Sequence, residues 1–119
     1  MWDIRFCPEA VKDLKKLDNS LKKQVLAGIR KVSHNPVSQH EGGYGKPLGH
    51  INGDNLTGFF KIKYKRIGIR VVYTLVKERE SMNIIVISIR DDEECYKLAN
   101  RRKNKYGRSI FLDIFMNKQ

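Results

Sequence analysis

The sequence predicts an α+β fold: a small, mostly antiparallel sheet of four strands, packed against an N-terminal helical hairpin and followed by a C-terminal helix. Three observations carry this. Apolar residues recur at helical spacing from Pro8 to Asn35, then alternate or run together from Gly58 to Ile89. The patterns come in the order strand, helix, helix, strand, strand, strand, helix, which keeps helices and antiparallel strands apart along the chain. A chain of 119 residues, 40% hydrophobic, fits one small domain with a modest core.

Each element has a local reason. Trp2 to Phe6 reads as a short strand with Trp2, Ile4 and Phe6 on one face. Pro8 suits the first position of a helix and Glu9 its first turn, and Val11, Leu14 and Leu17 form the apolar stripe. Asp18, Asn19 and Ser20 break the pattern as cap formers. A second helix carries Leu21, Val25, Ile29 and Val32 on one face and ends near Asn35-Pro36, because a residue before proline avoids the helical region. Residues 37–56, rich in glycine, read as one long loop. Strands follow at Gly58 to Lys65 and Ile69 to Val76, joined by a turn at Arg66, Ile67 and Gly68, and at Asn83 to Ile89, apolar enough to be central. Asp91, Asp92, Glu93 and Glu94 open the last helix and Arg101, Arg102 and Lys103 close it, an order that complements the helix dipole. Gly107 stops it. The organisation is thus a domain over residues 1–106 and an apolar extension over 107–119, where Phe111, Ile114 and Phe115 share a face at helical spacing.

Composition narrows the function. Lys plus Arg number 24 against 13 acids, a net charge of +11. Such a surface attracts polyanions, nucleic acid first and an acidic protein second. No run approaches the roughly 18 apolar residues of a membrane span. The N-terminus has no basic stretch leading into an apolar one, so a cytoplasmic protein is expected. Cys7 and Cys95 stand far apart without CxxC spacing, which points away from a zinc site or a disulfide.

The chemistry concentrates in KIKYKRIGIR, residues 61–70. Strand alternation points Lys61, Lys63 and Lys65 one way and Phe60, Ile62 and Tyr64 the other. Repulsion among close cations favours release of a proton, so a lysine there can act as a base. A solvated edge strand would also carry such lysines. Arg70 and Arg90 are expected at the same end of the sheet, where a guanidinium fork matches two phosphoryl oxygens. Tyr96, early in the last helix, is suited either to stack on an unpaired base or to fill the core. His34, His40 and His50 flank or occupy the glycine-rich loop at spacings that fit no regular element. Asp91 to Glu94 are better placed to cap a helix than to bind a metal, so no metal ion and no cofactor are expected.

From Lys46 to Tyr96 the sequence resembles the RelE/ParE toxin superfamily, in its RelE ribonuclease branch. The residues that carry this are KPL (46–48), GFFKIKYKRIGIRVVY (58–73) and ISIRDDEECYKLANRR (87–102). The resemblance implies a curved sheet backed by a helical hairpin. It also implies a ribosome-dependent endoribonuclease that cleaves mRNA in the A site without metal. In that chemistry the 2′-OH attacks the adjacent phosphate and leaves a 2′,3′-cyclic phosphate. Carried over by position, the strand lysines fall on Lys61 and Lys63, the arginines on Arg70 and Arg90, and the stacking tyrosine on Tyr96. Lys65, Arg66, Arg101 and Arg102 would add RNA contacts. The implied partners are mRNA, the ribosome and an acidic, RelB-like antitoxin, and no membrane. Two departures stand out: Cys95 where valine is common, and a chain that continues from Lys103 to Gln119. The alternatives are a ParE-like inhibitor of DNA gyrase, and a module that binds RNA or an antitoxin without catalysis.

Overall fold

Ile4 and Phe6 alternate inward along β1 (Asp3–Phe6), and that strand runs parallel to the last one, β5 (Ser81–Ser88), from Asp3 opposite Ser81 to Phe6 opposite Ile84. The computed structural model describes residues 1–116. Between these strands lie α1 (Pro8–Lys15), α2 (Asn19–Ser33), β2 (Lys46–Ile51), β3 (Asp54–Tyr64) and β4 (Ile69–Val76), and α3 (Asp92–Tyr106) follows β5. The sheet is five-stranded, in the order β1-β5-β4-β3-β2, and every pair except β1–β5 is antiparallel.

The strand count corrects the expectation of four, because the supposed loop over residues 37–56 contains β2 and the start of β3. The signal lay at Asn52-Gly53, both at positive φ (52° and 83°), the two-residue turn that joins hairpin strands without splaying them. Ile51 and Asp54 pair directly across it. The following turn spans residues 65–68, so Lys65 leaves the strand expected to hold it, and Gly68 supplies a φ of +65°.

The helices begin where local chemistry places them. Pro8 opens α1 with Glu9 in its first turn. The Asp18 carboxylate caps α2 by accepting from the Leu21 amide at 2.9 Å, and Asp91 caps α3 through Glu94 at 2.9 Å. Val25, Ile29 and Val32 of α2 are buried against the sheet. α1 packs along β5, and both helices touch the sheet more than each other.

Register decides which face each strand residue serves, since residues opposite one another share a face. Lys61 lies opposite Val72, Lys63 opposite Arg70, and Arg70 in turn opposite Ser88. This face is covered by α3 and the chain that follows it. On the other face Tyr64 donates to the Val25 carbonyl of α2 at 2.6 Å, and Tyr73, stacked on Phe60, donates to the Pro36 carbonyl at 2.8 Å. Gly28 lets Tyr64 in, since a Cβ there would meet its ring at 2.5 Å. β5 is buried throughout, as a central strand should be. Ile84, Ile85 and Val86 are fully inaccessible, each worth about 1.5–3 kcal/mol in burial.

Beyond Ile84 the edge of β5 has no strand partner. The Asp13 carboxylate accepts from the Ile87 amide at 3.0 Å, and Arg102 donates to the Ile85 carbonyl at 2.8 Å and to Asp13 at 2.6 Å. A side-chain pair from α1 and α3 thus completes the ladder.

The extension after α3 departs from its helical expectation. It makes one short 3-10 turn, Gly107–Phe111, then passes through bends to a bridge between Met116 and Phe6. Ile110 is fully buried, and its carbonyl accepts from Thr74 at 2.6 Å and Asn83 at 3.0 Å. Phe111 packs edge-on to Phe59 and over Gly58, where a Cβ would lie 2.8 Å from its ring. Phe115 is buried against Tyr106, while Ile114 points to solvent.

Candidate active site

Alternation along β3 puts Lys61 and Lys63 on the α3 side of the sheet, and register brings Arg70 of β4 directly beside Lys63. Like charges set opposite each other destabilise a sheet unless something anionic joins them. That group is Asp92, in the first turn of α3. Its carboxylate forms an ion pair with Arg70 Nε, while Arg70 Nη1 donates to the Arg90 carbonyl at 2.9 Å. Burial works against the Asp92 carboxylate, but the hydrogen bond and charge of Arg70, with the charges of Lys61 and Lys63, outweigh it and hold the carboxyl below its ordinary range.

Arg90 stands just past the end of β5, which stops at Ser88 rather than Ile89, and its amide donates to Ser88 Oγ at 3.0 Å. Its side chain is exposed, as is that of Lys63. Lys61 is half-buried, with Nζ 3.1 Å from Tyr96 Oη and 5.8 Å from the centre of its ring. Tyr96 itself is only 5% exposed. Of its two readings, base stacking or core, the structure gives it the core position, with its hydroxyl steadying a lysine.

The structure therefore gathers Lys61, Lys63, Arg70, Arg90 and Tyr96 at one end of one sheet face. Lys65 and Arg66 sit apart in the turn, beside Gln24 and Ala27 of α2. Arg101 is exposed on α3. Arg102 corrects an expectation. The resemblance places it among the RNA contacts, but its charge is spent on Asp13 in a pair whose side chains are each 12% exposed. Burial opposes that charge, and Asp13 more than compensates, so Arg102 holds its proton more firmly than usual. Its neighbour in sequence faces water, because residues one apart on a helix do not share a face.

Two members of the site escaped the sequence reading. Lys46 pairs with Lys61 in the β2–β3 ladder, so a third strand adds an exposed cation to the same face. Its place on this face depends on β2 pairing with β3. Asp92 was read only as part of an acidic helix start, and nothing local shows that it reaches back to β4. His34, His40 and His50 are all exposed, at the end of α2, in a short turn after it and on β2, away from this cluster. Among the described residues no three His, Cys, Asp or Glu side chains converge as metal ligands. Cys7 and Cys95 are buried free thiols, pushed by burial up to about 11 and about 12, so they take no part in nucleophilic chemistry at neutral pH.

A basic α+β domain with cations collected at one sheet end is built to hold an anion. The sequence pattern of the family described as the ParE toxin of the type II toxin–antitoxin system parDE matches residues 4–96. The chain belongs to the RelE/ParE superfamily of type II toxins. It is 26% identical over 104 residues to a putative RelE-like toxin protein of Escherichia coli, covering 85% of this chain and 96% of that one. Its fold is that of the isolated E. coli RelE toxin, with a TM-score of 0.62 at 22% identity over 86% of this chain and 98% of that chain. The intact E. coli RelBE toxin–antitoxin complex also aligns, at a TM-score of 0.59 and 20% identity over 76% of this chain and 99% of that chain. Among the described residues no helix is long and apolar enough to cross a membrane.

Proposed function

We propose that this toxin is a metal-independent endoribonuclease of the RelE type, acting on mRNA in the ribosomal A site and so arresting translation in the cytoplasm. The observation that supports this best is the convergence of Lys61, Lys63 and Arg70 on the Asp92 carboxylate, with the Arg90 backbone carbonyl held by Arg70 beside them. A phosphodiester is the natural replacement for that carboxylate. The 2′-oxygen of the nucleotide attacks the adjacent phosphorus, the bond from phosphorus to the 5′-oxygen breaks, and a 2′,3′-cyclic phosphate remains. One strand lysine takes the 2′-OH proton. Arg70 stabilises the charge that grows on the phosphoryl oxygens, and Arg90 supports the departing 5′-oxygen. Tyr96 holds Lys61 in place. Such a site has few titratable groups, and holding the RNA in line on the ribosome supplies much of the acceleration.

An acidic antitoxin of RelB type is the proposed partner. The E. coli complex that aligns with this chain is of such a kind, and a surface of net charge +11 favours fast association with it. Purification from the native operon should yield the complex, and recovery of free toxin alone would oppose this.

A second reading, inhibition of DNA gyrase, is favoured by the ParE description of the matching family. Primer extension on a translated mRNA, run beside an assay for trapped gyrase–DNA complexes, separates the two. Cuts inside codons support the ribonuclease. Trapped complexes without cuts support the gyrase poison, and neither effect leaves a binding module.

A further inference from the structure

Tyr96, the aromatic ring of the site, is 5% exposed and lies under Lys61, so it offers no open face to an RNA base. Immediately beyond Arg90 is a hollow of about 290 Å3, between the end of α1, the end of β5 and one side of α3. We propose that this hollow is a nucleobase subsite, which takes the base on the 3′ side of the cleaved phosphate. This rests on the ribonuclease reading and deepens it.

Position supports this first. Arg90 lines the hollow, and its carbonyl accepts from Arg70, so hollow and anion site share one residue as their common wall. In the proposed chemistry Arg90 faces the departing 5′-oxygen, which belongs to the 3′ nucleotide. The base of that nucleotide is therefore the one delivered here.

The lining supports it second. Leu17 and Leu98 are half-buried in its walls, and Ile89 is 67% exposed at its mouth. A large apolar side chain left in water between two exposed cations, Lys16 and Arg90, suits a flat ring that covers the isoleucine while its phosphates meet the cations. A guanidinium also stacks on a ring face. The volume lies near the lower end of small-ligand pockets, roughly 300–1,000 Å3, which suits one base and not a longer ligand. The polar wall, Asp13 with Arg102, is closed upon itself and upon the backbone of β5. It offers few free groups to read a base edge, so the subsite accepts bases by stacking, with little preference among them.

The test uses the whole folded protein and short oligonucleotides carrying a 2′-deoxy sugar at the cleavage point, which bind and cannot be cut. Removing the base on the 3′ side of the central phosphate should weaken binding about tenfold, the effect of one stacked base. Removing the base on the 5′ side should change it much less. Ile89→Ser, at an exposed position that does not threaten folding, and Leu98→Trp, which fills the hollow, should each erase the difference. Equal affinity for intact and 3′-abasic oligonucleotides, no binding of either, or a difference that survives both substitutions would overturn the subsite. The measurement needs neither ribosome nor cleavage. A chain that cuts mRNA yet ignores the 3′ base loses only this inference, and one that reads the base yet cuts nothing loses only the ribonuclease.

Discussion

Arg70 and Asp92 form an ion pair between β4 and the first turn of α3, where Lys61 and Lys63 of β3 also act on the carboxylate. In the proposed ribonuclease reading, this carboxylate gives way to a phosphate. Because Arg70 holds that carboxyl below its usual range, the pair persists in mildly acid solution, and a ligand phosphate has to displace it.

Asp92→Asn should therefore tighten the binding of a short non-cleavable RNA several-fold. The slope of log K against log salt should steepen by about 0.7, the contribution of one further phosphate contact to a single strand. Titrations at three or four salt concentrations measure both. Weaker binding by Asp92→Asn would mean instead that Asp92 serves to orient Arg70.

The cations themselves should be required for cleavage. Lys61→Ala and Arg90→Ala should each lower the rate on translated mRNA more than a hundredfold, about 3 kcal/mol for one transition-state contact. Arg90 is exposed and Lys61 half-buried, so both variants should keep their circular dichroism and melting behaviour. Folded variants that cut at the parental rate would remove the proposed roles.

Asp13→Ala should destabilise the fold by roughly 3 kcal/mol, because it strands the Arg102 charge and leaves the Ile87 amide without its acceptor. Denaturant unfolding of this variant beside an Asp13→Leu, Arg102→Leu double variant checks the cause. The double change should cost less than the single one if the stranded charge is the larger part.

Acid should weaken the junction of α1 and α3. Burial tends to raise the Glu9 carboxyl, but hydrogen bonds from Lys105 and Tyr106, both 2.6 Å long, bring it from 4.5 down to about 2. A carboxyl depressed by folding adds stability above its unfolded value, and this is lost as pH falls from 4.5 toward 2. Lys105 is exposed, so screening reduces the contribution to about 1–2 kcal/mol. Melting curves of the parent and Glu9→Gln should differ at pH 7 and converge near pH 2. A difference that grows on acidification would contradict this.

Deleting residues 109–119 should lower stability by roughly 3 kcal/mol or more. It would uncover Phe59 and strip Thr74 and Asn83 of the Ile110 carbonyl they share. Unchanged melting after truncation would contradict this.

Much of this protein is written in its local sequence. Pro8 at a first helical position and the caps Asp18 and Asp91 start helices by chemistry that reaches no further than one turn. The period-two pattern of KIKYK separates Lys61 and Lys63 from Ile62 and Tyr64, and the unbroken apolar run of β5 marks it as central. Asn52-Gly53 marks the hairpin that holds β2, but β2 itself, KPLGHI, lacks the alternation that would show a strand. What no local pattern contains is pairing across distance. That β1 runs parallel to β5, that Lys46 lies beside Lys61, and that the tail is pinned by Thr74 and Asn83 all depend on which edges and faces remain open once the sheet has formed. The same holds for charge. Arg101 and Arg102 are alike in sequence, yet one faces water and the other Asp13, and Asp92 caps no helix but answers Arg70. A side chain's charge is set by its own formula, whereas its partner is set by the fold that brings distant segments within reach.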